Sequence, residues 1–232
     1  MQILTRNEAT DRAAHLHVSA IDVVVDIRGA QDTTIPTYPV TSTLTMTSDE
    51  ERTFIDIVGD VTEVLLNGVP HPFEDDEDRV WVGGLPVGET ITLEVHALAR
   101  YSRSGEGLHR YTDPEDGEVY LYTQFEPNDA HRAWPCIDQP DVKPEWTFHV
   151  IAPAGWVVSS NGIETGVESV DETGALRHDF TATRPLSSYI TAIVAGPWAV
   201  IEGGTWSGGA SDGGHAELAL RLLCRRTLAR YL

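Results

Sequence analysis

The stretch YLYTQFEPNDAHRAWPCIDQPDVKPEWTF, residues 120–148, indicates how this chain folds and what it does. With the two residues before it, its first part predicts a β-strand over residues 118–126, whose side chains alternate between two faces. One face has Val119, Leu121, Thr123 and Phe125, and the other has Tyr120, Tyr122, Gln124 and Glu126. The amide and carboxylate, two residues apart beside two phenols, suit a ligand with N–H or ammonium groups. Spacing alone favours a simpler interpretation, a half-exposed edge strand with ordinary polar residues.

The segment after this strand predicts a change of structure. Pro127 ends the strand because proline has no N–H to donate. The following residues, 128–134, predict a short helical turn that Asn128 or Asp129 caps through its side chain.

The same stretch resembles the motif T-Q-x-E/Q-x-x-x-A-R-x-x-x-P-C-x-D-x-P-x-x-K-x-x-F of the aminopeptidase N family of zinc metallopeptidases. The residues on its positions are Thr123, Gln124, Glu126, Ala130, Arg132, Pro135, Cys136, Asp138, Pro140, Lys143 and Phe148. The departure is Pro144-Glu145-Trp146, which leaves the start of the next strand open. LTRNEATDRAAHL, LLNGVP, SSNG at 159–162 and SSYITAIVAGPW at 187–198 are also similar to parts of that family's N-terminal domain.

The resemblance implies saddle-shaped, twisted antiparallel β-sheets (β-sandwich-like) packed against a zinc-containing catalytic domain. It implies that Glu126 pairs with the α-ammonium of a peptide substrate and that Gln124 lines the pocket for the first side chain. Zinc would belong to the full-length parent, because none of the nine histidines here has another histidine four residues away. The H-E-x-x-H zinc motif is therefore absent. We expect no catalytic residue and no metal ligand in this chain, which should be inactive alone.

The motif's absence, with Met1 as a start, predicts an N-terminal domain that ends where the catalytic domain would begin. We assign residues 1–217 to the β-domain, and 218–232 to its last strand and the start of the next domain. The expected partners are a peptide N-terminus and the parent's own catalytic domain. Uncovered apolar surface, including the tail from Glu217 to Leu232, would allow self-association. The alternative is a stand-alone β-sandwich binding or adaptor module, without peptidase function, that retains the motif for structural reasons.

Composition excludes several classes of function. The net charge of −20 argues against nucleic acid, which requires clustered Lys and Arg. No stretch reaches the roughly 18 apolar residues of a membrane span, and residues 1–20 lack the apolar core of a signal peptide. We therefore expect a cytoplasmic parent without membrane contact. Both cysteines, Cys136 and Cys224, should be reduced, with Cys136 buried.

Short alternating segments predict an all-β fold, with first strands at 15–29, 38–48 and 52–59 and a tight hairpin at Asn67-Gly68. Beyond the turn at 128–134, a helix is expected only from Arg226. Residues 203–217 contain six glycines and predict a mobile loop. Ser187 and Ser188 should begin a strand.

Two weaker hypotheses concern binding sites. His15 and His17, on one face of a strand, would need a third ligand to hold zinc. Tyr120, Tyr122, Trp134 and Trp146 are candidates for a sugar-binding platform, although such aromatics more often belong to a core.

Overall fold

The computed structural model of this chain describes residues 4–209 and 215–224, with side chains up to residue 201. Within these residues the structure is mostly β, with one α-helix, and the all-β prediction is confirmed. The α-helix is α1 (Arg6–His15), and 3₁₀ turns lie at Ala130–Arg132 and Ser188–Ile190. The strands are β1 (Leu16–Asp26), β2 (Thr37–Ser48), β3 (Arg52–Asp56), β4 (Gly59–Leu66), β5 (Val69–Pro70), β6 (Glu74–Asp76), β7 (Arg79–Gly83), β8 (Thr90–Arg100), β9 (Gly107–Thr112), β10 (Val119–Gln124), β11 (Glu145–Ala152), β12 (Val157–Ser160), β13 (Glu164–Ser169), β14 (Leu176–Phe180), β15 (Ile193–Gly196), β16 (Ala199–Gly209) and β17 (His215–Cys224).

The strands form four sheets within the described residues. The largest has eight strands in the order β13-β14-β11-β1-β2-β8-β4-β5, and the others are β12-β15-β10-β9, β3-β7-β6 and the pair β16-β17. Most neighbours are antiparallel, as predicted, but β1 and β11 run parallel, with Val23 opposite Phe148. This parallel pair places the end of the 120–148 stretch, which forms the first half of β11, in the interior of the large sheet.

The core is one cluster of buried apolar side chains shared by three of these sheets. Val23, Leu44 and Val95 come from the large sheet, Leu121 from the four-stranded sheet and Val82 from the three-stranded sheet. Alternation explains the burial, since inward and outward positions follow each other along β2 and β8. The strand that bears Gln124 is therefore fixed to the main core through its inner face.

Helix α1 was not predicted, and a strand was expected to begin at His15. The helix has little apolar character and buries only Arg12, so periodicity gave no signal. Its start is nevertheless marked by a capping box: the Glu8 backbone N–H donates to Thr5 Oγ1, and the Thr5 backbone N–H donates to Glu8 Oε2 at 2.8 Å. Hydrogen bonds from the Thr5 side chain and backbone, with a further one from Arg79, lower the pKa of Glu8 to about 2.

Two other predictions about the chain have clear outcomes. The hairpin at Asn67-Gly68 is confirmed, with positive φ angles of 52° and 78° at its two central residues. The prediction of a loop over 203–217 is wrong, because residues 203–209 lie in β16 and residues 215–217 lie in β17, which pair with each other. Backbone pairing between these strands outweighs the unfavourable strand propensity of glycine.

The remaining predictions for the C-terminal part concern residues that the structure describes only in part. Residues 210–214 and the helix expected from Arg226 lie outside the described residues, as do the side chains of the tail from Glu217 onward. The proposed boundary between residues 217 and 218 falls inside β17. It stays a prediction.

Candidate functional site

The residues predicted to share one polar face, Tyr120, Tyr122, Gln124 and Glu126, are called the polar strip. It begins on β10, which lies between β15 and β9. Tyr122 is opposite His109 on β9, and Gln124 is opposite Gly107. The strand ends at Gln124, two residues earlier than predicted, so Phe125 and Glu126 form the turn that follows. Phe125 is buried, whereas Gln124 and Glu126 are both exposed.

Glu126 lies in the turn that the Asp129 N–H to Phe125 O hydrogen bond closes, and the Glu126–Pro127 peptide bond is cis. Its backbone N–H faces Gln124 Oε1 at 3.4 Å, which brings the two candidate residues side by side. Among the residues that the structure describes, no cationic side chain lies within 4 Å of the Glu126 carboxylate. An exposed carboxylate without an ion-pair partner can accept hydrogen bonds from an ammonium group.

An aromatic wall borders the strip on one side. Tyr122 is 39% exposed, and its ring centroid is 4.9 Å from that of His109. Burial lowers the pKa of His109, and its Nδ1 accepts from the backbone N–H of Gly105 at 3.1 Å. The neutral ring therefore has its proton on Nε2.

Tyr120 departs from its predicted place on the exposed face. It is only 2% exposed, because Trp198 packs on its ring with centroids 4.5 Å apart. Its hydroxyl donates to Asp116, and burial raises the pKa of Tyr120 to about 12. The exposed part of the strip is thus limited to the end of β10.

The segment after Pro127 forms a turn at Ala130–Arg132, but not with the predicted cap. Neither Asn128 nor Asp129 caps it through a side chain. Asp129 instead accepts from Arg132 Nε at 2.6 Å, and Arg132 also lies 3.6 Å from Glu106. The side chain that was expected to cap the turn therefore forms an ion pair within it.

Gly107 allows this turn to pack closely against β9. Its φ is +67°, and a Cβ at this position would lie 3.0 Å from Arg132 Cβ. Glycine is required by both the backbone conformation and the close approach. Because Gly107 is the cross-strand neighbour of Gln124, the contact holds the turn against the end of the polar strip.

A buried polar network lies behind the turn, centred on Asp138. Its Oδ2 accepts from His131 Nδ1 at 2.6 Å, and its Oδ1 accepts from Ser188 Oγ at 2.6 Å. Burial by itself would raise the pKa of Asp138, but the hydrogen bonds from His131 and Ser188 lower it overall. Burial also opposes protonation of His131, yet Asp138 outweighs it and raises the pKa of that imidazole.

The network continues to the N-terminal helix. The backbone N–H of Asp138 donates to Asp56 Oδ2 at 2.9 Å, and Arg12 Nη1 donates to the same oxygen at 2.8 Å. Arg12 Nε also donates to Gln139 Oε1, 127 residues away in sequence. Helix α1, strand β3 and the second half of the 120–148 stretch are therefore joined by buried charges.

This network was not predicted from the sequence, although Asp138 was matched to the motif. Ser187 and Ser188 were expected to begin a strand, but Ser188 begins a 3₁₀ turn instead. Both are buried, and their hydroxyls donate to Pro140 O and to Asp138 respectively. Hydrogen bonding to the motif segment explains why this part of the chain turns rather than extends.

The weaker hypotheses are not supported by the described residues. Trp134 and Trp146 are fully buried, and Trp134 packs against Phe125 and Phe148 at centroid distances of 4.9 and 5.1 Å. They form core rather than a sugar-binding platform. Cys136 is also buried, with a free thiol, while the side chain of Cys224 lies outside the described residues.

His15 and His17 do not share a strand, because His15 ends α1 and His17 lies in β1. In the described part of the chain, no three His, Cys, Asp or Glu side chains are grouped as a metal site requires. None of the described helices is long and apolar enough to span a membrane.

Comparison with known proteins agrees with the fold and with the motif. The family model for the Peptidase M1 N-terminal domain matches residues 74–190, which include β10, the Ala130–Arg132 turn and the part of the buried network formed by His131, Asp138 and Ser188. The chain therefore belongs to the family of M1 peptidase N-terminal domains.

Individual relatives are named as aminopeptidases. Aminopeptidase N of Streptomyces lividans is 37% identical over 99% of this chain, and Aminopeptidase N of Haemonchus contortus is 32% identical over 60% of it. A probable aminopeptidase 1 of Sulfurisphaera tokodaii is 30% identical over 62% of it. The chain spans 26%, 14% and 18% of the lengths of these relatives.

Proposed function

We propose that this chain is the substrate-recognition domain of a zinc-dependent aminopeptidase that removes N-terminal residues from peptides. Glu126 pairs with the free α-ammonium of the substrate, and Gln124 lines the pocket for the first side chain. The observation that supports this role is the exposed Glu126 carboxylate beside Gln124, with no cationic partner among the described residues.

The surroundings of Glu126 suit selection of an N-terminus. Charge-assisted hydrogen bonds are roughly twice as strong as neutral ones, so a carboxylate discriminates a free ammonium from an amide. The turn is fixed by the buried Phe125 on one side and by the Asp129–Arg132 pair on the other. A fixed turn lowers the entropy lost when the carboxylate is ordered around its ligand.

Bond cleavage is assigned to the rest of the parent. Zinc, when bound there, would activate a water molecule for attack on the peptide carbonyl. The described residues of this chain contain no ligand set for it, so this chain's part is limited to binding and orienting the N-terminus. The chain on its own should be inactive, and the parent's own catalytic domain is its expected partner. A cytoplasmic location and self-association of the isolated chain through uncovered apolar surface belong to the same proposal.

Steady-state kinetics of the parent enzyme test the assignment of Glu126. Glu126→Ala should lower kcat/KM on an aminoacyl amide by roughly 30-fold to several thousand-fold. This is the equivalent of ~2–5 kcal/mol, the loss expected when the substrate ammonium is left unpaired in a desolvated site of the parent enzyme. Glu126→Gln should be milder, because an amide oxygen still accepts. Glu168→Ala is a matched control, since Glu168 is exposed on β13 and forms no ion pair within 4 Å among the described side chains.

The outcome separates the enzyme from the alternative of a binding module. A loss of kcat/KM in Glu126→Ala with an unchanged melting temperature, and none in Glu168→Ala, supports the proposal. Near wild-type kinetics in Glu126→Ala would end the assignment. If the gene continues from Leu232 without a peptidase domain, the binding module takes its place.

A further inference from the structure

A cavity lies beside β9, and His109 belongs both to it and to the aromatic wall near Gln124. It is open, has a volume of about 400 Å³ and is lined by Thr33, Arg103, His109, Arg110, Tyr111 and Thr112. Tyr111 is opposite Tyr120, four residues before Gln124. At ~3.4 Å per residue, Tyr111 lies roughly 14 Å along the strand direction from Gln124, and His109, which is opposite Tyr122, lies roughly 7 Å from it.

Arg110 forms the floor of the cavity and has only neutral hydrogen-bond partners. It is 7% exposed, and its guanidinium donates to the backbone oxygens of Asp32 and Thr33 at 3.2 Å each. The guanidinium carbon also lies 4.1 Å from the ring centroid of Tyr101. The carbonyl oxygens accept hydrogen bonds from Arg110, and the ring face of Tyr101 contacts its guanidinium. None of these groups carries a negative charge that would neutralise the arginine.

The nearest ionisable groups leave this positive charge largely uncompensated. Burial lowers the pKa of Arg110, and repulsion from Arg103 acts in the same direction. The carboxylate of Asp32 attracts Arg110, but its Oδ1 accepts from the Thr34 backbone N–H and from Thr34 Oγ1. Neither arginine forms an ion pair within 4 Å in the described residues, so the cavity has two cationic side chains near one carboxylate.

This arrangement is unusual in so acidic a chain. Within the described side chains, seven arginines lie within 4 Å of a carboxylate, namely Arg12, Arg28, Arg52, Arg79, Arg100, Arg132 and Arg177. With a net charge of −20, carboxylates are abundant on the surface. Arg110 is buried and forms no ion pair within 4 Å in the described residues, although a buried charge is normally paired.

We propose that this cavity binds an oxyanion, a phosphoryl or carboxylate group, through Arg103 and Arg110. Arginine suits both groups because its guanidinium presents parallel N–H donors. Arg103 is exposed and would supply these donors, whereas Arg110 already donates to three backbone carbonyls and contributes mainly its positive charge. His109, Thr33 and Thr112 also line the cavity. The neutral His109 ring has its proton on Nε2, because its Nδ1 accepts from the backbone N–H of Gly105.

The volume of the cavity exceeds that of a bare ion. Ligand sites typically occupy about 300–1,000 Å³, so this space fits a small molecule or peptide end that bears the oxyanion. Tyr111 is 40% exposed at the rim and offers a ring against which the rest of the ligand packs.

Isothermal titration calorimetry of this chain with inorganic phosphate, at an ionic strength held constant with sodium chloride, tests the site. Saturable binding of one phosphate is expected. Arg103→Gln should weaken it about 10-fold or more, since one charge-assisted contact is lost. Arg103 is exposed, so the change leaves the core intact.

Arg184→Gln is the matched control. Arg184 is also exposed and forms no ion pair within 4 Å in the part of the chain that the structure describes. It lies by another cavity, lined by residues 161–163 and 181–184 with Leu186. Unchanged phosphate affinity in Arg184→Gln with a loss in Arg103→Gln supports the proposal. Equal losses in both variants would show a general effect of net charge and overturn it, as would the absence of saturable binding in the unchanged chain.

Two further titrations identify the source of the oxyanion. A tripeptide with a free C-terminal carboxylate is compared with its C-terminal amide, and phosphate is compared with phosphoserine. Binding of the free tripeptide but not the amide assigns the site to a peptide carboxylate. Tighter binding of phosphoserine than of either tripeptide assigns it to a phosphoryl group. Binding of the amide as tightly as the acid would contradict oxyanion recognition.

Discussion

Replacing Asp138 by Asn should destabilise the chain strongly, and by an amount that depends on pH. The side chain of Asp138 is 4% exposed and accepts from His131 Nδ1 at 2.6 Å. It also accepts from the hydroxyl of Ser188 at 2.6 Å and from the backbone N–H of His131 at 3.2 Å. Asn has nearly the same shape but no charge, and its NH₂ group donates where the carboxylate accepted.

The size of the effect follows from these contacts. Removing one partner of a buried ion pair costs about 3–5 kcal/mol, because the other charge stays buried without compensation. Asn retains one acceptor oxygen, so we expect a loss of roughly 2–4 kcal/mol in the free energy of unfolding at pH 5.5. Asp138→Ala, which retains no acceptor, should reach the upper end.

The pH dependence comes from the two pKa shifts. The raised pKa of His131 stabilises the fold below the unfolded value of about 6.5, and this contribution is lost as pH rises through the folded pKa. The lowered pKa of Asp138 stabilises the fold above about pH 4, and that contribution is lost as pH falls through its folded pKa. The pair is therefore most stabilising between about pH 4 and pH 6.5.

Urea denaturation followed by tryptophan fluorescence, at pH 5.5 and pH 8.5, measures the difference. Asp60→Asn removes the same charge from an exposed pair with Arg100 and should change stability by less than about 1 kcal/mol at either pH. Asp138→Asn should lose more at pH 5.5 than at pH 8.5. An equal loss at both pH values, or one no larger than that of Asp60→Asn, would refute the coupled pair.

Two further substitutions test other contacts. His149→Gln should destabilise the chain by about 1 kcal/mol near pH 6 and by less near pH 9, as measured by urea denaturation. Hydrogen bonds with Asp22 and then Asp179 raise the pKa of His149, and the stabilisation that they provide is lost as pH rises through the folded pKa. Gly107→Ala should cost about 1–3 kcal/mol, more than Gly117→Ala, because Gly117 has a similar φ of +72° but no atom within 4 Å of an added Cβ. Equal thermal shifts for the two glycine variants would show that backbone conformation alone matters.

Much of the β-structure is readable from the sequence, because alternation is a local property. The first three strands were predicted close to their observed bounds, and the hairpin at Asn67-Gly68 follows from two residues that tolerate positive φ. Failures occurred where local preference was weak or overridden. Helix α1 lacks an apolar stripe, and its only sequence signal was the pair Thr5 and Glu8.

Gln124 and Glu126 were reached through the motif that they share with a known family, and spacing alone would have left them as ordinary edge-strand residues. The sequence could order them as neighbours along one strand. The structure added that the strand ends at Gln124, that Phe125 anchors the turn in the core, and that Glu126 has no cationic partner in the described residues. Burial and the positions of charged partners depend on contacts between distant segments, so the sequence pattern alone does not predict them.

The charged groups show most clearly what sequence alone determines and what only tertiary structure decides. By itself the sequence determined the strands, one hairpin and a motif, because each depends on residues close together in the chain. Which carboxylate meets which arginine depends on packing between distant segments, as when Arg12 binds Asp56 and Gln139. The same packing brings Arg103 and Arg110 together in one cavity. Arg110 is buried against the carbonyls of Ala30, Asp32 and Thr33, and among the described side chains it forms no ion pair within 4 Å.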